Sequence, residues 1–348
     1  MRVVVHPRRT AETRQGGDWR QLRETIRLLG DHRIEARIST KTDEDLSGTD
    51  VCLIWNSVSP DAALAYYRNA RAQGTPVALM PFYWKLERFW ETFGSWPSRR
   101  TRKINALGSG ANRSEYFRNQ AALVQGADLL FANSQAEADL LAEEYSIDRQ
   151  SIRVVWNGVS ADMALGNATR FRSTWRAVIG DREFLACIAR VAPRKNQLGL
   201  LLALRHDSRV LVLVGAGASD PYATECRRVS SMRRDVIFVG QQGHDAVADV
   251  LAAARAHVLV SRYDVAPLVT LEAAIAGLPQ VAPVESGARD YLGDSAWYAD
   301  PDDHDGIRRA IDAAWSSPKQ VDLARRARTE FTWQRTAREL AEALWAIA

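Results

Sequence analysis

Residues 260–283 read VSRYDVAPLVTLEAAIAGLPQVAP, a succession of strand, loop, helix and second strand. The first strand ends at Ser261, and Pro267 falls in the first turn of an apolar helix, where its missing N–H costs nothing. Gly277 and Pro279 close that helix, and Gln280–Pro283 begins the next strand. An apolar helix set between two apolar strands is the crossover of a parallel sheet. Its N-terminus would present unpaired N–H groups and a positive dipole end, which favour phosphate or pyrophosphate. Val265–Val269, with Pro267, Leu268 and Val269 at its centre, is therefore a candidate diphosphate cradle. Glu272 is the one charge in PLVTLEAAIAG, and a buried carboxylate needs hydrogen-bond donors. A ribose diol would supply two; a neighbouring helix or a backbone N–H would serve equally. Asp264 reads on pattern alone as an N-cap residue.

The same alternation runs through the chain. Strands are expected at Val3–His6, Ile34–Ile38, Val51–Trp55, Val77–Met80, Asp128–Ala132 and Ile152–Trp156, then at Phe184–Arg190, Val210–Val214, Val236–Val239, His257–Ser261 and Gln280–Pro283. Helices fill the gaps, the first at Trp19–Leu29 with Asp18 as cap and Gly30 as stop. The pattern loosens between Gly158 and Gly180. An α/β architecture of two Rossmann-like domains follows: residues 1–160, residues 161–330, and a closing helical segment at 331–348.

A second segment, IARVAPRKNQLGLLLAL at residues 188–204, places Arg190 at a strand end and Lys195 and Asn196 at a helix start. Loops at the carboxyl ends of parallel strands line the ligand crevice of open α/β sheets, so both cations are placed to neutralise a diphosphate. Each taken alone is equally a surface charge. Gly16 and Gly17, ahead of the first helix, suit a close backbone approach to a ligand or an unconstrained turn.

Composition sets outer limits. The 348 residues, 46% hydrophobic and 25% charged, suit a globular protein with a sizeable core rather than a disordered one. No apolar run approaches the ~20 residues of a membrane span. The start MRVVVHP reads as a strand and not a secretory leader, which places the expectation in the cytoplasm. Three separated cysteines and six scattered histidines give no disulfide framework and no metal-ligand spacing. A formal charge of +4 is too small to indicate a nucleic-acid partner. Of the 46 basic residues only five are Lys; phosphate ligands favour Arg, and so does a simple coding bias.

Residues 83–118 hold Trp84, Trp90 and Trp96 with eight Lys/Arg against three Glu. They read either as an amphipathic helix with solvated charges or as a surface meeting anionic lipid head groups, which would make the protein peripheral to the inner face of a membrane. VLVLVGAGASD has two glycines of a dinucleotide fingerprint and lacks the third. Asp300–Asp303, DPDD, reads as a capping turn.

Taken together, R-x-x-P-x-K-N at 190–196 and Y-D-x-x-P-L-V-x-L-E-A-x-x-A-G-L-P at 263–279 resemble the retaining GT-B glycosyltransferases of family 4. ANSQAEADLL followed by IRVVWNGV, GARDYLGDSAWYADPDD and FTWQRTARELAEAL resemble further parts of that family. The likeness is close over 128–345 and only in outline over 1–127. It implies two Rossmann-like domains facing across a cleft, the last helix packing back on the first domain, and sugar transfer from a nucleoside diphosphate donor with retention and no metal or other cofactor. Arg190, Lys195 and Asp264 would form the catalytic set, the two cations stabilising the departing diphosphate and Asp264 lying beside the donor sugar. Glu272 would hold the ribose, and Gly16, Gly17, Pro267, Leu268 and Val269 would complete the donor site. The acceptor would be a carbohydrate, a lipid-linked molecule or a small molecule. The sequence departs from the family where Asp264 replaces a Glu, where Val265 and Pro267 replace glycines, and where MPFYWKLERF carries no His. Those departures leave a donor-binding protein or partner subunit without transfer activity as the alternative, with a nucleotide-sugar epimerase behind it.

Overall fold

The computed structural model describes residues 1–13, 16–85, 111–217, 221–231, 233 and 235–348. The core of the basic aromatic stretch read between 83 and 118 therefore lies outside the described residues. The chain divides into two compact units, one drawing on residues 1–85, 111–158 and 331–348, the other on residues 159–330.

In the first unit β1 (Arg2–Pro7), β2 (Glu35–Ile38), β3 (Val51–Trp55), β4 (Val77–Met80), β5 (Leu129–Ala132) and β6 (Ile152–Val154) form one sheet in the order β2-β1-β3-β4-β5-β6. Every pairing is parallel. Helices α1 (Gly17–Leu29), α2 (Pro60–Ala72), α3 (Ala111–Gly126) and α4 (Gln135–Tyr145) connect the strands. Strand β3 is buried at all five positions, as a strand covered on both faces must be, which is why it reads VCLIW without alternation. Successive side chains still point to opposite faces. Val3, Val5 and Leu53 pack with Trp19, Leu22 and Phe131, while Val4, Cys52 and Ile54 pack with Leu79, Leu123 and Leu141.

Of the two ends read for α1, the cap at Asp18 is corrected and the stop at Gly30 holds. The N-cap of α1 is Gly16, with no side-chain cap; Asp18 lies in the first turn and spends its carboxylate on Arg8 and Asn56. Gly30 is the C-cap but stays right-handed, and the left-handed reversal falls on Arg33 after a further 3₁₀ turn.

The second unit begins with α5 (Ala168–Thr174) and α6 (Arg176–Ile179). Its sheet comprises β7 (Phe184–Ile188), β8 (Val210–Val214), β9 (Val236–Gly240), β10 (Ala256–Val258), β11 (Gln280–Pro283) and β12 (Trp297–Ala299), ordered β12-β11-β10-β7-β8-β9 and parallel throughout. Helices α7 (Gln197–Ala203), α8 (Pro221–Ser230), α9 (His244–Ala253), α10 (Leu268–Ile275), α11 (Ala288–Leu292), α12 (His304–Ser316) and α13 (Val321–Glu330) follow in chain order. The core gathers Leu185, Leu211, Leu213, Val258 and Val281 against Leu200, Leu204, Ile307 and Ile311. Asp303 caps α12 by accepting from Gly306 N, so the DPDD run is a capping turn. The closing helix, α14 (Trp333–Trp345), belongs to the first unit. Its Leu340 and Leu344 join the core beside α1, and Thr336 Oγ1 donates to Trp156 O at 2.7 Å.

Among the described residues, no helix is long and apolar enough to cross a membrane.

Candidate functional site

In the second sheet, the chain runs outward from β7 through β8 and β9 on one side and through β10, β11 and β12 on the other. Strands β7 and β10 are neighbours at that reversal. Connections leaving two such strands part to opposite sides, so a crevice opens at their carboxyl ends. Residues 189–196 leave β7 there, and residues 259–267 leave β10.

The first of these loops is held by backbone. Ala189 N donates to Val214 O at 2.9 Å and Val191 N to Ala216 O at 2.7 Å, extending the β7–β8 pairing past the strand ends. Gly215 (φ +154°) and Gly217 (φ +130°) allow this approach; a Cβ on Gly215 would lie 2.0 Å from Ala189 O. The glycines of VGAG thus serve a close backbone contact. Pro193–Lys195 then makes one 3₁₀ turn, ended by Asn196 in the left-handed region at φ 55°, a conformation Asn tolerates better than most residues. Asn196 Nδ2 anchors the turn on Pro301 O at 2.7 Å.

That turn aims two cations at one carboxylate. Lys195 Nζ lies 2.5 Å from Asp264 Oδ2, and Arg194 Nη1 lies 3.1 Å from Asp264 Oδ1 and 3.2 Å from Tyr263 O. The side chains of Lys195 and Asp264 are 12% and 8% exposed, against 35% for Arg194. Burial opposes ionisation of Asp264, yet the charges of Lys195 and Arg194, with the hydrogen bond from Lys195, hold its carboxyl below the usual range. Burial also pulls the Lys195 ammonium below its ordinary value, Arg194 in the same direction and Asp264 against it. Asp264 is thus an ion-pair partner, and the N-cap of α10 is Pro267.

Helix α10 has no side-chain cap. Leu268 and Val269 are its first two residues, and Pro267 can donate no hydrogen bond of its own. The approach to the helix is fixed by Gly287 N donating to Val265 O at 2.7 Å and by a bridge pairing Asp264 with Ser286. Glu272, one turn further on, is 8% exposed. Of the residues singled out in the sequence, Lys195 and Asp264 are brought into contact, and Pro267, Leu268, Val269 and Glu272 follow them on one continuous segment. Arg190 is exposed at the rim of the β7 loop, where Gln197 Nε2 holds its carbonyl at 3.0 Å. Arg194 is the residue that sequence reasoning missed; its place beside Lys195 was the available signal.

In the first unit, Gly17 is the first residue of α1 and Gly16, its N-cap, ends the loop that leaves β1. That strand sits between β2 and β3, where the connection order of its own sheet reverses. Arg8 and Asn56, from the carboxyl ends of β1 and β3, both bind Asp18 beside these glycines, Nε of Arg8 at 2.6 Å and Nδ2 of Asn56 at 2.9 Å.

Residues 172–330 match the family model described as glycosyl transferases group 1. The second unit belongs to that family. The glycogen synthase of Mycobacterium tuberculosis is 28% identical over 246 residues, 67% of this chain and 58% of its own length. The mannosylfructose-phosphate synthase of Agrobacterium fabrum is 24% identical over 313 residues, 82% of this chain and 66% of its own. The chain thus spans less than two thirds of either relative. Among solved structures, Anabaena HepE in complex with UDP superposes with a TM-score of 0.74 at 18% identity, covering 99% of this chain and 100% of its own. The sucrose-phosphate synthase of Thermosynechococcus elongatus reaches 0.80 at 15% identity, with 100% of both chains covered. At such identities the likeness is one of fold: the chain has the GT-B fold, two parallel six-stranded sheets with helices.

Proposed function

We propose that the chain is a glycosyltransferase that moves a sugar from a nucleoside diphosphate donor to a hydroxyl acceptor, with retention at the anomeric carbon and without a metal ion. The observation that carries this reading is the Lys195–Asp264–Arg194 cluster at the topological switch point of a glycosyl transferases group 1 unit. Two cations and one carboxylate leave a net charge of about +1 beside the N-terminus of α10, a fixed positive environment suited to a departing diphosphate. Lys195 and Arg190 would hold that diphosphate with the N–H groups of Leu268 and Val269, and Glu272 would accept from the ribose hydroxyls. In the first unit, the Gly16–Gly17 loop is the proposed place of backbone approach to a phosphate or to the acceptor. In the transfer, the bond from C1 to the diphosphate breaks as the acceptor oxygen bonds C1 on the same face, and the acceptor proton passes to the leaving phosphate. The UDP in the HepE complex and the sugar-phosphate products named in the synthases support a nucleotide-sugar donor and a carbohydrate acceptor.

Calorimetric titration with UDP, GDP, ADP and dTDP, with and without a chelator, tests the reading. Selective, chelator-insensitive binding of one nucleotide is expected, and binding to none would refute the donor site. With the matching sugar nucleotide, Lys195→Ala and Glu272→Ala are expected to lose about 10²-fold or more in transfer, and the product anomer read by NMR checks retention. Selective binding with no transfer or donor hydrolysis across a broad acceptor panel would favour a donor-binding protein.

A further inference from the structure

We propose that Asp264 is the counter-ion that keeps Lys195 charged in its buried place, and thereby sets the pH range over which this unit can hold a diphosphate. The inference rests on the donor-site reading for its second half and on local geometry for its first. Lys195 leaves the β7 loop with a side chain only 12% exposed. The groups that act on it come from its own turn, from β7, and from β10 and the loop that follows. On its own turn Arg194 is a like charge. On β7, burial pushes the Cys187 thiol up to about 12, so it is neutral. On β10, burial takes His257 down to about 4, so it too is neutral at ordinary pH. Asp264, at 2.5 Å, is the one anion among these described groups. An ammonium removed from water stays protonated only where an opposite charge compensates its desolvation.

A carboxylate at this position therefore acts through Lys195. Asp264 is a positioning residue, and its own oxygens are engaged by Lys195 and Arg194. When a diphosphate arrives, its oxygens would take over the compensation of Lys195, leaving Asp264 to Arg194.

The chain has only five lysines, so the side-chain amines can be followed one by one by NMR in the full-length protein, with Lys195 assigned by its loss in Lys195→Arg. In Asp264→Asn the titration midpoint of Lys195 is expected to fall by at least about one pH unit relative to wild type, and in Asp264→Glu to recover most of that fall. An unchanged midpoint in a folded Asp264→Asn protein would overturn the assignment. Thermal unfolding of all three proteins verifies the fold, and a midpoint that fails to recover in a folded Asp264→Glu also counts against it. In parallel, the affinity for UDP, GDP, ADP and dTDP is measured from pH 6 to 9. The ratio of the Asp264→Asn to the wild-type Kd is expected to rise with pH across that range, by up to about tenfold for each unit by which the midpoint of Lys195 falls. A ratio that stays flat would refute the link to diphosphate. Failure of wild type to bind any of the four nucleotides at any pH would instead refute the donor-site reading, with the lysine titration still deciding the role of Asp264.

Discussion

Gly215→Ala tests whether the loop carrying Arg190, Arg194 and Lys195 owes its position to the backbone contact beneath it. The added Cβ would sit 2.0 Å from Ala189 O and 2.6 Å from Ala189 C. Both are backbone atoms, and about 1 Å of separation must be found before even the tightest tolerated contact of about 3.0 Å is reached. Residue 215 has little room to retreat, because its N–H is bonded to Gly240 O at 2.8 Å. The Ala189 segment must move, and with it the bond from Val191 N to Ala216 O. Overpacking against backbone costs about 1–3 kcal/mol, and a Cβ at φ +154° adds about 1 kcal/mol. For a unit of this size a total of about 2–4 kcal/mol lowers the melting temperature by roughly 5–15 °C. Displacing the cations by about 1 Å should cost up to about 10²-fold in turnover. Circular dichroism melts and sugar-nucleotide turnover, measured at a temperature where the variant is folded, read the two effects separately. A melting temperature within about 2 °C of wild type with unchanged turnover would refute the reasoning.

Leu340 is fully buried against α1, so Leu340→Ala should lower the stability of the first unit by about 2–5 kcal/mol; urea denaturation checks this, and a loss below about 1 kcal/mol would mean that α14 is dispensable to that core. Burial pushes the Glu137 carboxyl up to about 7, against hydrogen bonds from Asn133 N, Tyr83 N and Asn133 Nδ2. Folding then favours its protonated form, so its contribution is fully present below the unfolded value near 4.5 and is lost as pH rises through about 7. Glu137→Gln should remove a loss on the order of 3 kcal/mol between those limits, seen as the difference between the two proteins' denaturation free energies at pH 5 and pH 8. An unaltered difference would show that the three N–H donors keep Glu137 ionised throughout.

The strands were legible where burial on both faces leaves uninterrupted apolar runs. Val51–Trp55, Val77–Met80, Val210–Val214 and Gln280–Pro283 have the limits read from sequence. Three strands were read too long at their carboxyl ends for a physical reason. Val155 N still bonds Ala132 O, Ala189 N bonds Val214 O and Leu259 N bonds Val281 O, so the chain stays extended after the regular ladder has ended. Strand β12 was not legible at all. It has three residues, two of them half-buried, at the sheet edge, and the turn-forming residues around it hide so short a strand. Asp18 was misread because an Asp ahead of a helix looks the same whether it caps the helix or binds an Arg ten residues away. The residues alone gave two segments, the family resemblance joined them in one set, and the direct contact between Lys195 and Asp264 was not legible. Lys195 and Asp264 stand 69 residues apart, and only the reversal of strand order at β7 and β10 brings them within bonding distance. Arg194 was hidden by abundance, one Arg in a chain that uses the residue throughout.

The first unit takes its last helix from the far end of the chain, and this imposes an order on biosynthesis. Residues 159–330 are one continuous stretch and can close their own core as soon as they have been made. The first unit cannot. At about 5–20 residues per second, the ribosome needs roughly ten to thirty seconds to pass from residue 158 to residue 331. Throughout that interval Trp19, Leu22 and Leu29 of α1 lack Leu340 and Leu344, the partners that complete their core. The nascent protein therefore carries an apolar face that must wait for residues 331–348, and a ribosome stalled in that stretch would display it as a target for chaperones or for aggregation.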